Sequence, residues 1–176
     1  MNTDSYIAFA DSMDRIRTKS SADTYLNQLL FANVITAFEF YLQTIAVGLM
    51  NHDALLVKKV AETNKFKNQK VALSTALSND MKQYAISLVQ NIVFHNLAEV
   101  EPLFREAWNI SIPITPDILG AIRTRHDIVH RNGCTKQRIF HTIEAAQVLN
   151  VVQVFEQVAN HVDKQVLQLY GNINTL

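Results

Sequence analysis

The sequence is poor in the residues that interrupt helices or cross-link chains. Only 4 glycines and 3 prolines occur in 176 residues, and cysteine occurs once, as Cys134. So few turn-forming residues argue against a β-sandwich or barrel, which needs many turns. A single cysteine cannot form an intramolecular disulfide, so the fold gains no stability from an oxidising compartment. We therefore predict long helices joined by a small number of breaks.

The sequence also lacks a visible targeting or membrane-spanning segment. Its first four residues are not a basic region followed by an apolar run. No uninterrupted apolar stretch approaches the roughly 20 residues that a membrane span needs. Sixteen basic and sixteen acidic residues balance, so no overall charge attracts nucleic acid or an anionic membrane. We expect a cytoplasmic protein without a membrane partner.

Apolar residues make up 48% of the chain and recur at helical spacing. We predict an all-α fold, a single domain over 1–176, built as a compact up-and-down helical bundle with a long early helix and a long C-terminal helix. The predicted helices cover 4–17, about 21–50 (capped by Ser20, with Asp23 closing a capping box), a short stretch from 54, 80–95, 97–108, 116–131 and 136–170 (capped by Thr135). Residues 148–162 are apolar nearly all round, which predicts burial.

Two stretches concentrate positive charge in spite of the overall balance. Residues 121–141 hold a net charge of +4, from Arg123, Arg125, Arg131, Lys136 and Arg138 against Asp127. The stretch Lys58–Lys70 contains five lysines against one nearby Glu62, and we predict a solvated face or a mobile connection there.

The helix that follows Pro116 contains an anomaly. At about 100° per residue, an apolar face is defined by Ile118, Ala121, Ile122, Ile128 and Val129, and Arg125 lies in the middle of it. An arginine cannot lose its proton, and a buried charge without a partner is costly. Arg125 must therefore meet a carboxylate, a subunit boundary or an anionic ligand. Glu39, near the apolar stripe of the long early helix, is the best internal candidate, as a purely structural partner or as part of a phosphate site.

His130 is the nearest candidate for proton transfer, because an imidazole titrates near neutrality. It lies five residues after Arg125, which is about 140° around a regular helix. The two side chains converge only if the helix loosens near its end, if the arginine uses its reach, or if a second chain supplies the other half.

The stretch Arg125-His126-Asp127-Ile128-Val129-His130-Arg131-Asn132-Gly133 closely resembles the signature of HEPN domains of the RiboL-PSP type. These nine residues match the signature closely. Over the rest of the chain, only the order of the predicted helices is similar. It implies a metal-independent endoribonuclease without a cofactor, which acts on RNA as a homodimer. It further suggests a toxin–antitoxin or phage-defence role, with an antitoxin or regulatory protein as a possible partner.

Carried onto this chain, the resemblance gives roles to two residues. Arg125 would hold the scissile phosphate, and His130 would act as general base or acid while the ribose 2′-hydroxyl attacks, leaving a 2′,3′-cyclic phosphate and a 5′-hydroxyl. The supporting or RNA-binding candidates are His126, Asp127, Arg131, Asn132, Glu39 and Arg123.

Two other interpretations use the same residues. His126 and His130 are four apart and share a helix face, as two zinc ligands do. Against a zinc protease, Asp127 stands where a longer Glu is needed, and Lys136 stands where a third ligand would be; His141 or Cys134 could substitute. The second alternative is a non-catalytic, HEPN-like dimerisation or regulatory module that binds RNA or nucleotide through Arg125.

Overall fold

The computed structural model describes residues 2–78, 80–171 and 173, and over these it is all-helical. The helices are α1 (Asp4–Lys19), α2 (Thr24–His52), α3 (Ala54–Glu62), α4 (Leu73–Ser78), α5 (Met81–Gln90), α6 (Leu97–Trp108), α7 (Pro116–His130) and α8 (Ala145–Tyr170). The all-α bundle with a long early and a long closing helix is confirmed.

α2 is the central helix of the bundle. It packs against α1, α3, α5, α7 and α8, while α6 packs on α3. Its buried aromatic side chains meet those of α1 and α8, with the ring centroids of Phe38 and Phe155 5.0 Å apart. The hydroxyl of buried Tyr41 donates to the carbonyl of Ala159 at 3.0 Å. The core therefore holds α2 in place from several sides, and α2 in turn positions α7.

α2 also meets a length and composition criterion for a membrane span. Its most apolar 18-residue window has a mean hydropathy of 1.4, and half of that window is buried inside the bundle. The core helix of a water-soluble bundle meets the same criterion.

Several predicted helix boundaries are confirmed. α6 begins and ends where the sequence predicts, and α8 ends at Tyr170. Thr115 caps α7 by accepting a hydrogen bond from the Ile118 N–H, with Pro116 in the first turn. For residues 148–162 of α8 the prediction of burial is confirmed on one face only, because Leu149, Asn150, Gln153, Gln157 and His161 on the other face are exposed.

Two predicted boundaries before α6 are wrong, and one helix is not predicted. Asp23, not Ser20, caps α2, because its carboxylate accepts from the Tyr25 and Leu26 N–H groups. α5 ends at Gln90 instead of reaching His95. After the lysine-rich stretch Lys58–Lys70, the chain forms the short helix α4, Leu73–Ser78, which the sequence analysis does not predict. Asn79, one of the two residues predicted to begin α5, lies outside the described residues.

The largest correction concerns the segment after α7. The predicted cap Thr135 does not begin the last helix; its hydroxyl accepts from the Ile139 N–H, within a tight reversal of the chain. Cys134 and Phe140 form an isolated antiparallel bridge there. α8 begins ten residues later, where Glu144 and Gln147 form a capping box. Residues 131–144 therefore form a connection beside the end of α7.

We predict that Phe38→Ala lowers the free energy of unfolding by about 3–5 kcal/mol, because Phe38 is 1% exposed and truncation leaves a cavity. Phe40, two residues later on the same helix and 56% exposed, provides the control, and Phe40→Ala should change stability by less than about 1 kcal/mol. Urea denaturation measures both. Equal losses would contradict the assignment of Phe38 to the core.

Candidate functional site

The last turn of α7 is a regular α-helical turn. The helix continues to His130, and the Arg131 N–H donates to the Asp127 carbonyl at 3.0 Å. The chain then turns sharply through Asn132 and Gly133, both with positive φ (51° and 77°), as the Asn-Gly pair predicts. The helix does not loosen before His130, so the side-chain directions that a regular helix imposes hold up to that residue.

Arg125 points from α7 toward α2, where it meets the predicted partner Glu39. Its Nη2 lies 3.3 Å from Glu39 Oε1, and the two side chains are 13% and 21% exposed. Arg125 Nε is buried and has no hydrogen-bond acceptor among the described residues. The expectation that Glu39 neutralises a core-facing guanidinium is confirmed, and the arginine keeps a donor that the chain itself does not satisfy.

His95 is a member of this cluster that the sequence does not reveal. Its Nδ1 lies 2.9 Å from the same Glu39 Oε1, although the contact is not aligned for a hydrogen bond. His95 lies in the turn between α5 and α6, and no motif or periodicity connects it with α2 or α7. The sequence suggests an ordinary surface or core histidine, whereas the structure places it in the Arg125–Glu39 cluster.

His126 and His130 lie on the outer side of α7, and their ring centroids are 4.7 Å apart. Both residues are exposed. Partial desolvation lowers the pKa of His126, and the positive charges of Arg131 and His130 lower it further. The pKa of His126 therefore lies below that of a free imidazole, and its ring lies against that of His130.

Arg125 and His130 do not face the same way within one chain. Arg125 is anchored toward α2, and His130 is about 140° further round the regular helix and exposed. Val129, predicted on the apolar face, is 50% exposed, although its neighbour Ile128 is buried. Ile118, Ala121 and Ile128 of that face are buried as predicted. Of the three ways for the pair to converge, helix loosening is not observed.

Asp127 joins the end of α7 to the connection that follows it. Its carboxylate accepts from the Arg131 guanidinium, and its Oδ2 lies 3.0 Å from His141 Nε2. The hydrogen bond from His141 lowers the pKa of Asp127, and Arg131 lowers it further. Asp127 is therefore a structural carboxylate that holds Arg131 and His141 together.

Gly133 and Gln28 fix this connection against α2. The Gln28 amide donates to the His141 carbonyl at 2.5 Å, and the His141 N–H donates to the Gly133 carbonyl at 2.8 Å. A Cβ on Gly133 would lie 2.8 Å from Gln28 Oε1, and the positive φ also favours glycine. The polar cluster at the end of α7 is therefore positioned by the central helix.

A groove of 610 Å³ runs along the polar side of α7. We call it the cationic groove. It is lined by Gly120, Arg123, Thr124, His126, Asp127, Arg131, Thr135, Lys136, Gln137 and His141. Since Asp127 is its one acidic residue, the groove has the character that binds phosphate groups. An adjoining cavity of 310 Å³ shares Gly120, Thr124 and His141 and has room for a small polar group.

The predicted site residues thus fall into two sets. Arg123, His126, Asp127 and Arg131 line the cationic groove together. Arg125 and Glu39 form the cluster with His95 on the side of α7 that faces α2. His130 lies against His126, and Asn132 contributes its left-handed backbone to the turn.

The geometry of a zinc site is incomplete here. His126 and His130 lie together, but within 2–78, 80–171 and 173 no three His, Cys, Asp or Glu side chains are grouped so that they could hold a metal ion. His141, a possible third ligand, contacts Asp127 instead.

We predict that Asp127→Asn lowers stability at neutral pH and that the difference from the unmodified chain disappears in acid. The folded-state pKa of Asp127 is below its unfolded value, so its contribution is present above the unfolded pKa of about 3.9 and is lost as the pH falls through the folded value. Urea midpoints of both proteins at pH 7, 5 and 3 measure this. A difference that stays constant down to pH 3 would show that the carboxylate charge is not involved.

No family model, no curated protein and no solved structure matches this chain.

Proposed function

We propose that this chain is a metal-independent endoribonuclease of the HEPN type that acts as a homodimer. Arg125 holds the scissile phosphate and stabilises its developing charge, and His130 transfers the proton. The resemblance of residues 125–133 suggests this chemistry, and the arrangement of the same residues in the bundle supports it.

The observation that carries the proposal is the guanidinium of Arg125, which Glu39 holds in place on the α2 side of α7, while the same helix exposes two imidazoles on its outer side. Glu39 holds Nη2 from the side of the core, and Nε has no acceptor within the described chain. A cation that is already oriented stabilises charge on a phosphate without having to reorganise during the reaction. His126 and His130 provide two imidazoles, the side chain that most often transfers protons in catalysis.

The reaction uses only groups of the RNA and the protein. The ribose 2′-oxygen attacks the adjacent phosphorus as a base takes its proton, and the bond from phosphorus to the 5′-oxygen breaks as that oxygen receives a proton. The products are a 2′,3′-cyclic phosphate and a 5′-hydroxyl. The imidazole of His130 serves as the base or the acid, and the Arg125 guanidinium offsets the negative charge on the phosphoryl oxygens.

The directions of the two side chains support a homodimer. On a regular helix they diverge by about 140°, so a second chain that presents its own α7 brings an arginine and a histidine to one phosphate. The same region exposes Val129, Ile139 and Phe140 at 50%, 65% and 69%. Large exposed apolar side chains are typical of a surface that another protein covers.

The cationic groove supports RNA as the substrate. Arg123 and Lys136 line it and are exposed, so they can contact backbone phosphates on either side of the cleaved bond. The balanced overall charge favours an enzyme restricted to a particular RNA, or one controlled by an antitoxin or regulatory partner, over an indiscriminate nuclease. A toxin–antitoxin or phage-defence role would fit such an enzyme.

We predict that Arg125→Ala and His130→Ala each slow RNA cleavage in EDTA by about 100-fold or more, because each removes a group that acts in the transition state. Arg15→Ala and His52→Ala, at exposed positions outside the site, are the matched controls and should cleave normally. Gel assays and mass spectrometry of the product ends measure rate and chemistry. If the unmodified chain leaves RNA intact, or if EDTA abolishes cleavage, the proposed mechanism is wrong.

A second candidate, a non-catalytic module that binds RNA or nucleotide, is favoured by one observation. Arg125 is already paired with Glu39, which is also what a purely structural ion pair requires. Such a module would bind RNA or nucleotide through Arg125 without cutting it, and Arg125→Ala would lower both its stability and its affinity for the ligand. RNA binding without cleavage would support this candidate.

A further inference from the structure

An apolar cleft of 480 Å³ lies between α3 and α5, and none of its lining residues belongs to the cationic groove. We call it the α3–α5 cleft. Its apolar lining includes Val57, Val60, Phe66, Ala85 and Leu88. The connection between α3 and α4 closes one side of it through Phe66 and Val71. Its volume is within the range of cavities that hold small molecules, which are mostly apolar with a few placed polar groups.

The charged groups of the α3–α5 cleft are all lysines. Lys58 comes from α3, Lys67 from the connection and Lys82 from α5, and no Asp or Glu is among the lining residues. Lys67 Nζ donates to Asn64 Oδ1 at 2.6 Å and Lys82 Nζ to the Asn51 carbonyl at 3.4 Å, both neutral acceptors. Lys58 is 3.9 Å from Glu62, an exposed pair of little strength. The three positive charges are therefore largely available to a ligand.

The predicted solvated face at Lys58–Lys70 thus has a second property, an apolar cavity between its lysines. Since the lysines belong to three different segments, they surround one cavity and do not form a stripe along one helix. This arrangement fits one anionic head group above an apolar tail. The chain leaves the cleft at Val71 and returns at Met81, and α4 in between exposes Leu73 and Leu77 at 74% and 79%.

We propose that the α3–α5 cleft is a binding site for a single-chain carboxylate amphiphile, with the alkyl chain between α3 and α5 and the carboxylate among Lys58, Lys67 and Lys82. The alkyl chain covers the exposed parts of Val57, Met81 and Leu88, which water otherwise contacts. The carboxylate accepts hydrogen bonds from the three lysine ammonium groups. This site does not depend on the proposed ribonuclease activity.

The methionines provide a direct test by NMR. Met81 lines the cleft and is 42% exposed, whereas Met13 and Met50 are fully buried in the core. In the full chain labelled with ¹³C at the methionine methyl groups, decanoate is expected to shift the Met81 resonance saturably and to leave Met13 and Met50 unchanged. Decanol, with a chain of the same length and no charge, is expected to bind about 5-fold or more weakly, as the loss of a few exposed ion pairs implies.

Variants separate the cleft from general detergent binding. Ala61→Trp places a bulky ring at an exposed lining position and should abolish the Met81 shift, whereas Ala146→Trp, exposed on α8, should not. Replacing Lys58, Lys67 and Lys82 together by Gln should lower the affinity for decanoate to the affinity for decanol, and should leave the affinity for decanol unchanged.

Three results would overturn the proposal. They are equal binding of decanoate and decanol, shifts of Met13 and Met50 together with Met81, and no Met81 shift at millimolar decanoate. A Met81 shift that depends on protein concentration alone, and that Ala61→Trp removes, would show that a second copy of the chain occupies the cleft instead.

Discussion

The contact between Arg125 and Glu39 determines how the rest of the site is arranged. A guanidinium on the core-facing side of α7 is tolerated because a carboxylate from the central helix meets it at 3.3 Å. Since α7 remains regular up to His130, the anchored arginine fixes the directions of the residues that follow it. His126 and His130 then lie on the solvent side, and Asp127 faces the connection. The same contact that fixes Arg125 therefore separates it from His130 within one chain.

The bundle supports this arrangement through α2. The helix packs against five others, carries Glu39, and reaches the connection after α7 through Gln28. Asp127, bound to Arg131 and His141, completes the link from the other side. The polar end of α7 thus depends on a core helix and on one carboxylate that has a structural role. A core helix on one side and Asp127 on the other therefore hold a cluster rich in positive charge in place beside an open groove.

Much of the fold could be predicted from the sequence because local signals decide it. The scarcity of glycine and proline predicts helices, and Thr115-Pro116 and Asn132-Gly133 mark the two ends of α7. The amphipathic pattern also locates Arg125 on the core side and Glu39 as its partner. Val129 is exposed in spite of this pattern, because periodicity does not show which positions of an apolar face another segment covers. Thr135 resembles a helix cap, but its hydroxyl stabilises a turn, and the stronger capping box at Glu144 begins α8.

Features formed by distant segments could not be predicted. His95 approaches Glu39 only through the packing of the α5–α6 turn on α2. In the sequence, Lys58, Lys67 and Lys82 resemble separate solvated charges. Only the fold shows that they line one cavity. In the proposed homodimer, the position of Arg125 relative to the His130 of the second chain could not be predicted either, because it depends on how the two chains pack together. The central claim is that the two residues act together only across such a contact.

Mixing two inactive proteins tests that claim most directly. Arg125→Ala and His130→Ala chains, unfolded together and refolded in equal amounts, form mixed dimers in which one site combines the intact Arg125 of one chain with the intact His130 of the other. The account predicts that cleavage returns to about a quarter of that of the unmodified dimer, while neither variant alone cleaves. Mixed dimers that form in full and remain inactive would contradict it.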